Sequence, residues 1–196
     1  MRATTVEGWE RSGSSATWLL GGLAIAASLR ALLNGDAAPQ AFAVGSAFGA
    51  GLLAMAIASG WRPGRPRAMP LLIGAAGGAV LVVLPRLIHP LMPAVIGVRP
   101  QPFAAWVLVT ALVAVGEEAV LRGAIFTLLE RSSGVVVAVA VTSAAFALMH
   151  VPLYGWQVVP LDLGVGIWLA GLRIWSGSAS APAVAHLLAD LSTWWL

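Results

Sequence analysis

The stretch FAAWVLVTALVAVGEEAVLRGAIFTLL, from Phe103 to Leu129, decides how the chain folds. It is apolar and longer than the about 20 residues that a helix needs to cross a bilayer, yet Glu117, Glu118 and Arg122 lie inside it. An ionisable group at mid-membrane is costly, so it is rare, usually paired, and by default a mark of function. On a helix, Glu118 and Arg122 stand four positions apart and share a face, where they can form an ion pair. Glu117 is turned about 100° from Glu118 and aims elsewhere. The spacing predicts one carboxylate held in structure and one left for chemistry.

The whole chain fits that setting. Its 196 residues are 59% hydrophobic and 10% charged, with a mean hydropathy of +0.89, whereas soluble domains carry roughly 25% charged residues. The composition predicts an all-α, polytopic transmembrane helical bundle of about seven spans (six to eight, at about 20 residues each). It leaves no length for a soluble domain, so residues 1–196 read as one integral membrane domain. The formal charge of +3 comes from Arg alone among the basic residues. No water-exposed basic module is visible, which argues against nucleic acid as a partner. Cys is absent, which removes disulfides, thiol catalysis and Cys-ligated metals.

Toward the N-terminus from Phe103, prolines 85, 90, 93, 100 and 102 predict a broken or re-entrant segment, a hairpin or an extra span. His89 within it reads as a bystander. Met69 to Leu84 is the expected third span. The loop Gly60 to Arg67 holds Arg62, Arg65 and Arg67 and no acid, so the positive-inside rule puts it in the cytoplasm. Gln40 to Ser59 is the second span, and Asn34-Gly35-Asp36 a turn. Ala16 to Leu33 is the first, with Arg30 near its end and able to snorkel. Met1 to Ser15 is a polar leader. An apolar core from Trp18 to Ala27 behind an Arg also fits a signal peptide, but further hydrophobic segments follow to the C-terminus.

Toward the C-terminus, Glu130 to Gly134 reads as a turn and Val135 to His150 as a span ended by Pro152. Trp156 to Arg173 is the next span, and Ser176-Gly177-Ser178 turns into the last, Ala181 to Leu196. Trp61, Trp156, Trp175, Trp194 and Trp195 fall near span ends, as an interfacial belt would. This count puts the N-terminus and the Arg131 and Arg173 turns in the cytoplasm, and the C-terminus outside.

Two further polar sets lie in the last spans. Phe146 and His150 are four apart, and so are His186 and Asp190. A lone intramembrane His is as often bonded to a neighbouring carbonyl. Three sets on three spans weigh differently, because burying each charge separately multiplies the cost. Glu117, Glu118, Arg122, His150, His186 and Asp190 are therefore expected to share one hydrated cavity. Asp162 is expected at a loop edge, outside it.

Read in order, Glu117-Glu118-x-x-x-Arg122, Phe146-x-x-x-His150 and His186-x-x-x-Asp190 resemble the CAAX prenyl protease and bacteriocin-processing family (CPBP, or Abi), which are intramembrane glutamic endopeptidases. Arg122-Gly123 followed by Phe126, and Ser176-Gly177-Ser178 before the final His, look similar too. The resemblance covers Trp106 to the C-terminus; residues 1–102 carry no family signature beyond apolar spans. It implies that Glu117 and His150 activate a water that attacks a peptide carbonyl. It gives the oxyanion to His186 and Asp190, and leaves Glu118, Arg122 and Phe146 in supporting roles. A desolvated carboxylate binds a proton more readily than a solvated one, which suits a base that returns its proton to the leaving amine.

Asp190 departs from the pattern, in which Asn is commoner. An ionised Asp accepts hydrogen bonds only and would repel an oxyanion. Either a protonated Asp190 donates, or Asp190 orients His186 and leaves the oxyanion to the imidazole; a low-dielectric setting favours the first. The resemblance implies no cofactor, a membrane-associated peptide or protein substrate, and a place in the plasma membrane of a prokaryote. Two other readings stay open. Two His and up to three carboxylates could ligate zinc in a membrane hydrolase, although no H-E-x-x-H helix is present. A transporter or scaffold could use the same charges as a buried relay.

Overall fold

Lipid offers no partner to a backbone N–H or C=O, so apolar runs of span length satisfy themselves as helices. The computed structural model describes residues 6–34, 42–65, 67–88 and 102–195, with side chains described except at 6–15 and 84–88, and among these the secondary structure is helical throughout. In order come α1 (Val6–Asn34), α2 (Phe42–Ala58), α3 (Ala68–Ile88) and α4 (Phe103–Glu118). A π-helical segment (Ala119–Ile125) then runs without a break into α5 (Phe126–Ser133). After it come α6 (Val135–Tyr154), a 3-10 turn (Trp156–Val158), α7 (Val159–Ser176), α8 (Ser180–Ser192) and a last 3-10 turn (Thr193–Trp195).

Among the described residues, four stretches are long and apolar enough to cross a membrane: 16–34, 103–133, 135–154 and 156–176. Phe42–Ala58 and Ala68–Val83 are shorter apolar helices. Large apolar side chains face outward along them, among them Leu32, Leu33, Leu72, Val136 and Ile167, as a lipid-facing surface requires. The chain is a helical integral membrane protein.

Four boundaries differ from expectation. The leader is helical from Val6 onward. The helix holding Glu117 continues through Glu130 and Arg131 and stops only at Gly134, whose φ of 89° an L side chain resists. Pro152 does not end α6. It removes one N–H three residues before the helix closes at Gly155, where φ is 83°, so it costs a single bond in the last turn. Pro85 does not end α3, which runs to Ile88. Of the break expected over 85–102, residues 89–101, with His89, lie outside the described residues, as do Gly35 and Asp36 of the expected turn Asn34-Gly35-Asp36, whose Asn34 ends α1.

Small residues set how closely the helices approach. α2 packs on α4, α3 on α8 and α6 on α7. A Cβ on Gly116 would stand 2.5 Å from the Gly49 carbonyl oxygen, and one on Gly166 2.9 Å from Ser143 Cα. Backbones therefore touch at these crossings, the usual device where lipid gives no hydrophobic drive. Gly116 is the residue before Glu117, so the α2–α4 crossing fixes the depth of the carboxylates. Trp156, Trp175 and Trp195 are exposed near helix ends, but Trp61 packs into the bundle, its indole Nε1 2.6 Å from where a Gly123 Cβ would be.

Candidate active site

The floor of the site is dry. Glu117, Glu118 and Arg122 are 1%, 0% and 0% exposed. Arg122 donates from Nη1 to Glu118 Oε1 (2.8 Å) and from Nη2 to the Gly166 carbonyl (3.0 Å). The missing side chain at Gly166 is what lets α7 bring that carbonyl in. The guanidinium also lies over the Phe146 ring, 4.9 Å from its centroid, a geometry that favours a desolvated cation.

His186 joins the same carboxylate. Its Nδ1 is 3.0 Å from Glu118 Oε1, which accepts only, so Nδ1 carries the proton. Its Nε2 lies 3.5 Å from Asp190 Oδ2 and 3.8 Å from Glu117 Oε2, ion-pair distances rather than hydrogen bonds. Glu118 is thus committed to Arg122 and His186. Glu117 is not: among the described residues neither of its oxygens accepts a hydrogen bond, and its cation is Arg30 of α1, with Nη1 3.6 Å from Oε1.

Phe146 orders the two imidazoles. Its ring meets His150 edge-on at 4.8 Å and His186 edge-on at 5.3 Å. Nδ1 of His150 is 3.0 Å from the Phe146 carbonyl oxygen and 3.2 Å from Asp162 Oδ2. Glu117 is within electrostatic reach of His150. Exposure rises along the cluster, with side-chain values of 15% at His150, 19% at Asp162 and 40% at Asp190. All the expected site residues therefore meet in one cluster, which grades from buried carboxylates to a more exposed rim. Asp190 sits on that rim.

Two members escaped the sequence reading. Arg30 does not snorkel; it is 6% exposed, pairs with Glu117 and lies 4.6 Å over the Phe48 ring. Asp162 is not a loop residue but stands in the first turn of α7 against His150. The available signal was the same for both: a charge inside an apolar run with no opposite charge three or four positions away.

The π segment was not foreseen either. Directly after Glu118 the helix widens, with Phe126 N–H bonding to Leu121 O, five residues back. π turns often occur at functional sites. Side chains bond to its carbonyls: Arg173 Nε donates to Arg122 O (3.1 Å) and Thr127 Oγ1 to Gly123 O (2.6 Å). Arg173 also lies over Phe126, 5.3 Å from the centroid. Among the described residues no three His, Cys, Asp or Glu side chains are grouped to hold a metal ion.

Fold and site together define a polytopic membrane protein with carboxylates, imidazoles and guanidiniums gathered inside its helices. Residues 99–192 match the family model described as Rce1-like, type II CAAX prenyl endopeptidase, the family that the three motifs resemble. The match supports a CAAX-type membrane protease in general. No curated protein and no solved structure matches the chain.

Proposed function

We propose that the chain is an intramembrane glutamic endopeptidase of a prokaryotic plasma membrane. Its substrate is a membrane-associated peptide or protein. Glu117 and His150 activate a water, whose oxygen adds to the scissile carbonyl carbon while its proton passes to the base. His186, as an imidazolium held through Nδ1–H by Glu118, donates Nε2–H to the developing oxyanion, where a preorganised donor acts most strongly. The C–N bond then breaks and the proton returns to the leaving amine. Asp190 orients His186, and Glu118, Arg122 and Phe146 hold the frame.

The observation that carries this reading is the contrast between two adjacent carboxylates. Glu118 is bonded to Arg122 and His186, whereas Glu117, just as buried, accepts no hydrogen bond among the described residues. Leaving a buried carboxylate so costs stability, which selection tolerates where the group does chemistry. The test is cleavage of a peptide library by the purified protein in detergent, with Glu117→Gln and a metal chelator as separate arms. The expected result is chelator-insensitive cleavage that falls by roughly 10²–10⁴ in Glu117→Gln, the range of general acid–base catalysis. Full activity in folded Glu117→Gln would overturn the mechanism, and loss of activity with the chelator would favour the zinc reading.

A further inference from the structure

We propose that Asp162 is the positioning residue for His150, a role that rests on the reaction proposed above. The two side chains come from different helices. α6 ends at Gly155, and a single 3-10 turn over Trp156–Val158 leads into α7, so the first turn of α7 is folded back beside the last turn of α6. Asp162 Oδ2 thereby reaches 3.2 Å from His150 Nδ1.

That geometry decides which nitrogen bears the proton. The Phe146 carbonyl, 3.0 Å away, faces the same Nδ1. A carbonyl oxygen and a carboxylate oxygen are both acceptors, so Nδ1 carries the hydrogen and Nε2 keeps the lone pair. The tautomer is set by what the other nitrogen bonds. Asp162 adds what the carbonyl lacks, a full negative charge 3.2 Å from Nδ1, which stabilises the imidazolium formed when Nε2 takes a proton. Its burial supports the assignment. At 19% exposed within the apolar stretch 156–176, a carboxylate needs a partner, and His150 is its ion-pair partner among the described residues.

The roles of Glu118 and Asp162 are parallel. Each carboxylate binds the Nδ1 of one imidazole, and each imidazole is left with Nε2 for the substrate side. Glu118 does so from the dry floor and Asp162 from the rim.

The test has two readouts. In a single-turnover and steady-state comparison of Asp162→Asn, Asp162→Ala, His150→Ala and the His150→Ala/Asp162→Ala double variant, kcat of the Asp162 variants should fall by roughly 10²–10⁴, with KM changed about twofold at most. In the His150→Ala background the same Asp162 change should have no further effect, since a positioning residue has nothing left to position. The second readout is proton NMR of protein labelled with ¹⁵N-histidine. The His150 Nδ1–H resonance should sit at the low field of a carboxylate-bonded imidazole and move upfield in both Asp162 variants. An unmoved resonance, or equal losses of kcat with and without His150, would overturn the assignment. A moved resonance in a protein that cleaves no peptide would keep Asp162 as the partner of His150 and reject the proposed reaction instead.

Discussion

Glu118 and His186, 68 positions apart in the chain, meet through a 3.0 Å contact between Oε1 and Nδ1. The same oxygen takes Arg122 Nη1 at 2.8 Å, so one carboxylate atom ties α8 to the centre of the long helix. Removing the arginine would strand that carboxylate, which is fully buried. Arg122→Ala is expected to destabilise the protein by about 3–5 kcal/mol, as breaking a buried pair does. Chemical or thermal denaturation in detergent measures it; an unchanged transition would mean that the pair is solvated.

Arg122→Lys separates charge from geometry. A lysine keeps the cation but offers one compact head in place of a planar fork, and it cannot serve both Glu118 and the Gly166 carbonyl as the guanidinium does. The expected outcome is a folded protein of intermediate stability, between wild type and Arg122→Ala in the same denaturation experiment.

Arg30 tests whether the N-terminal helices belong to the site. Residues 99–192 carry the family match, but Arg30 of α1 is the cation beside Glu117 Oε1. Arg30→Leu should lower stability, and Arg30→Leu combined with Glu117→Gln should recover part of the loss. The coupling expected from a double-mutant cycle is about 0.5–3 kcal/mol. Strict additivity would place Arg30 outside the site.

Gly116→Ala adds one carbon where the Gly49 carbonyl already stands, 2.5 Å away. Backbone on both sides cannot swing clear, so α2 and α4 must part. A cost of about 1–3 kcal/mol is expected from overpacking, together with slower turnover, because Glu117 follows directly. Gly171→Ala, with nothing within 4 Å, is the control and should leave both measurements in place.

Asp190→Asn should be mild. The pair with His186 is 3.5 Å apart and the carboxylate is 40% exposed, a setting in which an ion pair is worth about 0.2–1 kcal/mol. Turnover is expected to stay within about fivefold of wild type and the melting transition to hold. A loss of the size expected for Glu117→Gln would make Asp190 a participant in the chemistry rather than a guide for His186.

Much of this was legible in the sequence, because lipid narrows the choices. An apolar run of span length has little option but helix, and a charge within it must find another charge. That reasoning finds Glu118 with Arg122 from their spacing alone, and it collects His150, His186 and Asp190 into the same cluster. It fails where partners come from distant helices. Nothing local to Arg30 or Asp162 names Glu117 or His150, since those pairings depend on how α1 and α7 dock. The helix ends at Ser133 and Tyr154 are not set by the turn-like residues or the proline before them; glycines at positive φ, Gly134 and Gly155, do the breaking. The widening after Glu118 left no mark in the residue pattern.

That widening has a consequence for how the long helix can change. A π turn holds one more residue per hydrogen-bonded ring than an α turn, so removing a single residue between Ala119 and Ile125 would restore the ordinary period. Were that residue kept and the segment wound as a plain α-helix, everything downstream would instead rotate by about 100° and advance by about 1.5 Å. Phe126 would swing out from beneath Arg173, and the Arg122 carbonyl would turn away from its Nε donor, while Glu117 and Glu118 kept their place against α2. The seven residues thus act as a phase joint: the half of the helix that carries the carboxylates and the half that packs on α6 each keep their own angular setting, and the spare residue absorbs the mismatch.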